Sequence, residues 1–329
     1  PFRTRQSSLS APMVLCLKTW KSRTLPGTSL MKDLIIVTGG AGFVGSNLIK
    51  SLLKHTNKQI ISLDNYSSGN KINHIKTNRV KYIKANTVDI SKFLKNEKKK
   101  IHSIFHFGEF ARIHQSFKNF SECYDSNAIG TKQVFNFCLE NKIKLIYSAT
   151  SATLGKKGND KNLSPYAFTK SKNLELLENL KRWFNLKYEV IYFYNVYGKR
   201  QIEKGEMATV IGIFQEQFRK KNPLTVVKPG TQTRRFTHIS DTIKICYLAW
   251  KYNKCSHYSI SHKQSISIID VAKMFKSHIK YLPPRLGERY ASALTNLSHN
   301  NKVIKYFGKI NLKDYISSFI KQLNKHENS

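Results

Sequence analysis

A chain of 329 residues is long enough for one large or two modest domains around a substantial core, and its 40% of hydrophobic residues is ordinary for a globular protein, with no apolar run long enough to cross a bilayer. Fifty-six lysines and arginines against 20 aspartates and glutamates leave a formal net charge of +36. Nucleic acid or an anionic membrane surface would suit that charge, but no zinc-finger spacing or RNP-type aromatic sequence accompanies it. We read it as compositional drift that also attracts a doubly anionic substrate, and expect no nucleic-acid partner. The five cysteines (Cys16, Cys123, Cys138, Cys246, Cys255) are scattered with no C-x-x-C pair, which argues against a zinc site or disulfide framework and fits a reducing cytoplasm.

Residues 1–30 do not resemble the rest. Arg3, Arg5, Lys18, Lys21 and Arg23 stand among several serines and threonines without an acid, the composition of an organelle transit peptide or of upstream translated sequence. We expect a leader or non-native extension without fixed structure and set it aside from the fold. The apolar, β-branched run Ile35–Val37 then leads into Gly39, Gly42 and Gly45, followed by a helical pattern of Phe43, Leu48, Ile49, Leu52 and Leu53. That order is strand, tight turn, helix. The glycines turn the chain, let the backbone approach a pyrophosphate and pack the helix on the strand, while the helix N-terminus offers free N–H groups. Gln59–Asp64 reads as the next strand. A carboxylate at its end, Asp64, can accept hydrogen bonds from ribose hydroxyls and repel a 2′-phosphate, which selects NAD over NADP.

Apolar runs recur at Val80–Ile83, Ser103–Phe107, Leu145–Ser148 and Tyr188–Tyr194, with helical stretches between them at Cys123–Asn141 and Tyr166–Phe184. Strands interleaved with helices imply right-handed crossovers, hence an α/β fold: a Rossmann-type doubly wound parallel sheet over residues 31–197. After Gly198 the regularity weakens and Pro223, Pro229-Gly230, Pro283-Pro284 and Gly287 punctuate the chain. We expect a smaller C-terminal substrate-binding lobe over 198–329, some of whose segments return to the first domain.

Within Ser164-Pro165-Tyr166-Ala167-Phe168-Thr169-Lys170, Tyr166 and Lys170 fall one turn apart on one face of a helix start. An ammonium and an oxidised nicotinamide both favour a phenolate, and such a tyrosine can take or return a hydroxyl proton while hydride moves. The hydroxyl of Thr150, at the end of the preceding strand, could bond the same substrate oxygen.

Together these motifs resemble the extended short-chain dehydrogenase/reductase family, and within it the nucleotide-sugar epimerases, over Met31 to about Phe307. The likeness also rests on Asp64-Asn65, His106-Phe107-Gly108, Asn127 with Gly130-Thr131, Tyr194-Asn195-Val196-Tyr197-Gly198 and Arg285-Leu286-Gly287-Glu288. It implies an NAD that is used and regenerated, held by Gly39, Gly42, Phe43, Val44, Gly45, Asp64, Asn65, Asn86, Thr87, Phe107, Gly108, Asn127, Lys170 and Phe193. Tyr166 and Lys170 would be catalytic, with Thr150 where serine is usual. Thr150, Asn195, Lys204, Arg234 and Arg285 would meet a nucleotide-diphosphate sugar, the arginines holding its diphosphate. The resemblance further implies a homodimer paired through helices that carry Phe135, Phe137, Phe168 and Trp183, residues that core packing would explain nearly as well.

The resemblance has departures. Asn86 stands for the usual aspartate, Arg235 for the acid after Arg234, and Lys199 for a proline. Glu109 is unusual at its place and is either a substrate contact or a loop carboxylate. The family's dehydratases carry an Asp-Glu pair where this chain has Ser151-Ala152, which disfavours dehydration. Enzymes that invert C4 of UDP-hexoses are the more general match. ADP-heptose 6-epimerases are resembled locally around Asn195–Gly198 and Lys204–Ala208, where Lys204 would be a second base. A non-catalytic RNA-binding or regulatory protein is the alternative of another class, disfavoured by the intact Tyr166/Lys170 spacing.

Overall fold

The computed structural model describes residues 32–287 and 303–327. The expected leader and Glu288 lie outside them. Eight parallel strands form the main sheet. β1 (Leu34–Thr38), β2 (Gln59–Asp64), β3 (Val80–Lys84), β4 (Ile101–His106), β5 (Lys144–Thr150) and β6 (Tyr188–Phe193) are joined by two later strands, His257–Ser261 and Val303–Phe307. Across the sheet the order is 303–307, 257–261, β6, β5, β4, β1, β2, β3. The order reverses between β1 and β4, which places a crevice beyond their carboxyl ends. Register keeps those ends level: Thr38 lies opposite Leu63 and His106, His106 opposite Tyr147, and Thr150 opposite Phe193.

Alternation along the strands divides the core into two layers. Ile36, Leu63, Ile104, Leu145 and Tyr147 face one side, against Val134, Phe135, Phe137 and Leu177 of the helices Thr131–Glu140 and Pro165–Phe184. Ile35, Val37, Phe105, Ile146 and Ile191 face the other, against α1 (Phe43–His55) and the helix Ile239–Tyr252. Phe135 and Phe137 are therefore core residues, 0% and 2% exposed, whereas Phe168 and Trp183 are exposed. The two phenylalanines leave the expected dimer face because their helix turns them onto the sheet.

The helix expected over Cys123–Asn141 is present and begins earlier, running through Phe120–Tyr124, a π-helical turn over Asp125–Gly130, and Thr131–Glu140 without a gap. A third cluster, with Tyr197, Ile211, Phe214, Leu224, Val226, Phe236, Val271, Phe275 and Ile316, forms the core of the segments after Gly198. Residues 239–261 and 303–307 return to the main sheet. No helix among the described residues is long and apolar enough to cross a membrane.

Candidate active site

The turn after β1 is built by sterics. Gly39 has φ +69, and a Cβ there would lie 2.8 Å from the Gly108 nitrogen and the Phe107 oxygen, so the backbone following β4 presses directly on the turn. At Gly45 a Cβ would come within 2.1 Å of the Gly39 carbonyl oxygen, the close packing of α1 on its own entry. Gly42 differs. Only the Gly39 oxygen, at 3.2 Å, lies within 4 Å of an added Cβ, and φ −78 would admit any residue. Packing presses on this position far less than on Gly39 or Gly45, asking the Gly39 carbonyl to give by a few tenths of an ångström; the approach of a ligand would add the stronger demand. The N-cap of α1 makes no side-chain hydrogen bond and its first turn holds no acid, so its N–H groups remain for an anion.

This helix start opens on a cavity of about 680 Å³ lined by Gly39, Gly42, Phe43, Val44, Gly45, Asp64, Asn65, Asn86, Thr87, Phe107 and Gly108 together with Glu109, Arg112, Ser126 and Met207. The Asp64 carboxylate accepts from the Ala41 and Tyr66 nitrogens at 2.9 and 2.8 Å, fixing it at the rim of the cleft with acceptor capacity left over. Asn65 donates to Asn86 at 3.0 Å. An uncapped helix start, a glycine with space beside it and a rim carboxylate fit a dinucleotide.

Asn127, Lys170 and Phe193, expected at the cofactor, are not on this lining. Asn127 is fully buried and clamps the Phe110 backbone in both directions, accepting from its nitrogen at 2.7 Å and donating to its carbonyl at 3.0 Å. Phe193 packs edge-on against Phe107, 5.5 Å between ring centres, and supports the wall from behind.

The helix Pro165–Phe184 starts where Ser164 caps the Ala167 nitrogen at 3.1 Å and Pro165 takes a position that needs no N–H. Tyr166 therefore sits in the first turn. It is 9% exposed, packed with Phe110, Cys123, Ala152 and Ala167 against Ile113 and Met207. One turn on, the Lys170 ammonium donates to the Ser148 carbonyl at 2.6 Å and pairs with the Glu109 carboxylate. Thr150 is buried, and its hydroxyl oxygen accepts from the Ala152 nitrogen at 3.1 Å, leaving its proton to be donated.

A second cavity, about 610 Å³, is lined by Asn195, Gln232, Arg234, Phe236 and Arg285, with Gly205, Glu206 and Ala208 from the neighbouring loop. Three of the expected substrate residues are thus brought together. Thr150 and Lys204 are not among them, and Tyr166 is on the lining of neither cavity; the Lys204 side chain is 70% exposed and pairs with Glu216 at 3.2 Å, drawn to one of the few acids of a basic region. Arg235 is turned away as well, donating to the carbonyls of His262 and Lys263. Arg112 was not anticipated. It lines both cavities, its guanidinium donates to the Met207 carbonyl at 3.0 and 2.5 Å, and burial lowers its pKa while the neighbouring Tyr166 opposes that shift.

Residues 35–261 match the NAD dependent epimerase/dehydratase family. A Methanocaldococcus jannaschii protein provisionally named UDP-glucose 4-epimerase is 30% identical over 273 residues, covering 78% of this chain and 88% of that protein. An ADP-L-glycero-D-manno-heptose-6-epimerase of Brachyspira hyodysenteriae is 28% identical over 264 residues, covering 75% and 81%. Among solved structures, UDP-glucose 4-epimerase of Thermotoga maritima with UDP-glucose aligns at TM-score 0.76 and 23% identity, over 89% of this chain and 99% of that one. UDP-glucuronic acid 4-epimerase of Bacillus cereus with UDP-glucuronic acid and NAD aligns at TM-score 0.74 and 25% identity, over 88% and 99%.

Proposed function

The chain belongs to the NAD-dependent epimerase/dehydratase family, and we propose that it is a nucleotide-sugar epimerase that inverts C4 of a UDP-hexose or its N-acetyl analogue. One observation carries the reading: a cleft fit for a dinucleotide adjoins a cavity lined by Asn195, Arg234 and Arg285, and the Tyr166/Lys170 helix starts beside the loop that carries Arg112.

NAD supplies a hydride acceptor that can give the hydride back. The rest falls to this chain's residues. Tyr166 takes the proton of a sugar hydroxyl as the carbon is oxidised to a ketone and returns it after the sugar has turned. Thr150 donates its hydroxyl proton to the same oxygen. Arg234 and Arg285 grip the diphosphate, the one part of the substrate that need not move, and the cavity beside them gives the sugar room to rotate. Ser151 and Ala152 offer no acid–base pair for expelling water.

The heptose 6-epimerase is the second reading, supported by the Brachyspira relative. The outward pairing of Lys204 with Glu216 weighs against it. Purified protein offered UDP-galactose, UDP-N-acetylglucosamine and ADP-heptose separately, without added NAD, should invert a UDP-sugar, followed by NMR of product stereochemistry. Conversion of the heptose alone would move the assignment to the second enzyme. The homodimer also belongs to this reading. Phe120, Tyr124 and Phe168, each at least 40% exposed, lie on two helices packed side by side and offer an apolar face to a second copy. We place the enzyme in the cytoplasm, in keeping with the free thiols of Cys123, Cys138, Cys246 and Cys255.

A further inference from the structure

Glu109 lies three residues beyond the end of β4, and its side chain is only 2% exposed. It lines the first cavity but is not a solvated loop carboxylate, since its side-chain bonds are internal. One oxygen accepts from the Thr131 hydroxyl at 3.1 Å, the Tyr147 hydroxyl at 3.0 Å and the Asn173 amide at 3.3 Å. The other receives the Lys170 ammonium, which also donates to the Ser148 carbonyl and stands 4.8 Å from the centre of the Tyr147 ring. This many donors hold the carboxylate in one orientation.

The network behind it has a fixed direction. The Thr38 hydroxyl oxygen accepts from the Phe107 and Gly108 nitrogens, so its proton goes to His106 Nδ1, 2.7 Å away. Burial pushes His106 down to about 4, so the ring is neutral and Nε2 carries its proton, donated to Thr131 at 2.9 Å. Thr131 then donates to Glu109. Tyr147 is held well above the usual phenol range by burial and by Glu109, and stays a donor.

We propose that Glu109 is a positioning residue for the Tyr166/Lys170 pair: its buried carboxylate pairs with Lys170 and pins the ammonium against the Ser148 carbonyl, so that Tyr166 meets Lys170 as one half of an ion pair rather than as a free cation, and Arg112 is the other cation that faces it. The inference rests on Tyr166 being the base of the proposed epimerase, but its test needs no substrate. Six titratable or charged groups face the cluster: Tyr166 and Lys170 on their helix, Tyr147 on β5, His106 on β4, Cys123 on the helix Phe120–Tyr124, and Arg112 on the loop.

Glu109→Gln keeps the shape and removes the charge. The phenolate of Tyr166, read by ultraviolet difference absorbance with Tyr166→Phe as the blank, should appear at a pH lower by about one unit or more, tenfold in proton affinity. The acid limb of turnover against pH should move the same way. Glu109→Asp, which retains the charge, should shift both less. An unmoved phenolate midpoint in folded E109Q, judged by near-ultraviolet circular dichroism, overturns the proposal. If E109Q does not fold, Glu109→Ala, which leaves room for water to serve the donors, is titrated to the same criterion. A shifted midpoint in a protein that turns over no nucleotide sugar would sink the proposed function and leave this inference standing; an active epimerase with an unmoved midpoint would do the reverse.

Discussion

At the level of single residues, the glycine-rich turn separates two kinds of demand. Gly45→Ala should destabilise the protein, because its Cβ falls 2.1 Å from backbone that cannot yield. Gly42→Ala should leave thermal stability within about 1 kcal/mol yet strip the protein of retained NAD. Melting curves and the nucleotide content of purified protein distinguish the two, and a Gly42→Ala protein that keeps its NAD contradicts the assignment of that space. Tyr166→Phe should lower turnover at least about 100-fold, the scale of a lost general base, while NAD stays bound. Undiminished turnover removes Tyr166 from the mechanism. The glycines, Asp64 and the Tyr166/Lys170 pair were legible in the sequence because their spacing is fixed by local geometry. Glu109 and Arg112 were not. Their partners lie 61 and 95 positions away, and a carboxylate seen alone in a loop cannot announce a buried lysine across the cleft.

Elements tell a similar story. The inner strands stood out because each carries a run of apolar, often β-branched residues buried in the sheet, and the helix Pro165–Phe184 did because Ser164 and Pro165 mark its start. The π-helical turn Asp125–Gly130 left no trace in the pattern. It is imposed from outside, by the clamp of Asn127 on Phe110 and by Gly130 passing so near Thr87 that an added Cβ would sit 2.3 Å from its hydroxyl oxygen. Phe135 and Phe137 were legible as helical and apolar, but not as inward, because that depends on the sheet they meet. Since Ser164 caps the helix that carries Tyr166, Ser164→Ala should cost about 1 kcal/mol in chemical denaturation and also lower kcat, by loosening the first turn. A stability loss with kcat unchanged would show that the cap does not position Tyr166.

For the molecule as a whole, acid is the expected weakness. Burial pushes His106 and His257 down to about 4, whereas an unfolded histidine titrates near 6.5. Their stability contribution is complete above about pH 6.5. As pH falls the unfolded chain takes up protons that the folded one refuses, and the loss continues until pH reaches about 4, at most on the order of 3 kcal/mol for each. Tm should therefore drop steeply between pH 6.5 and 4.5; a flat profile would mean that these rings ionise in place. Arg112 is the one described residue common to the linings of both cavities. Its side chain, tethered to the Met207 carbonyl, lies where the two chambers meet, together with the segments 111–113 and 207–208. Shortening Arg112 to alanine should therefore be felt on both sides at once, in the nucleotide content of the purified protein and in the KM for the sugar; a change in one alone would show that the two chambers are independent.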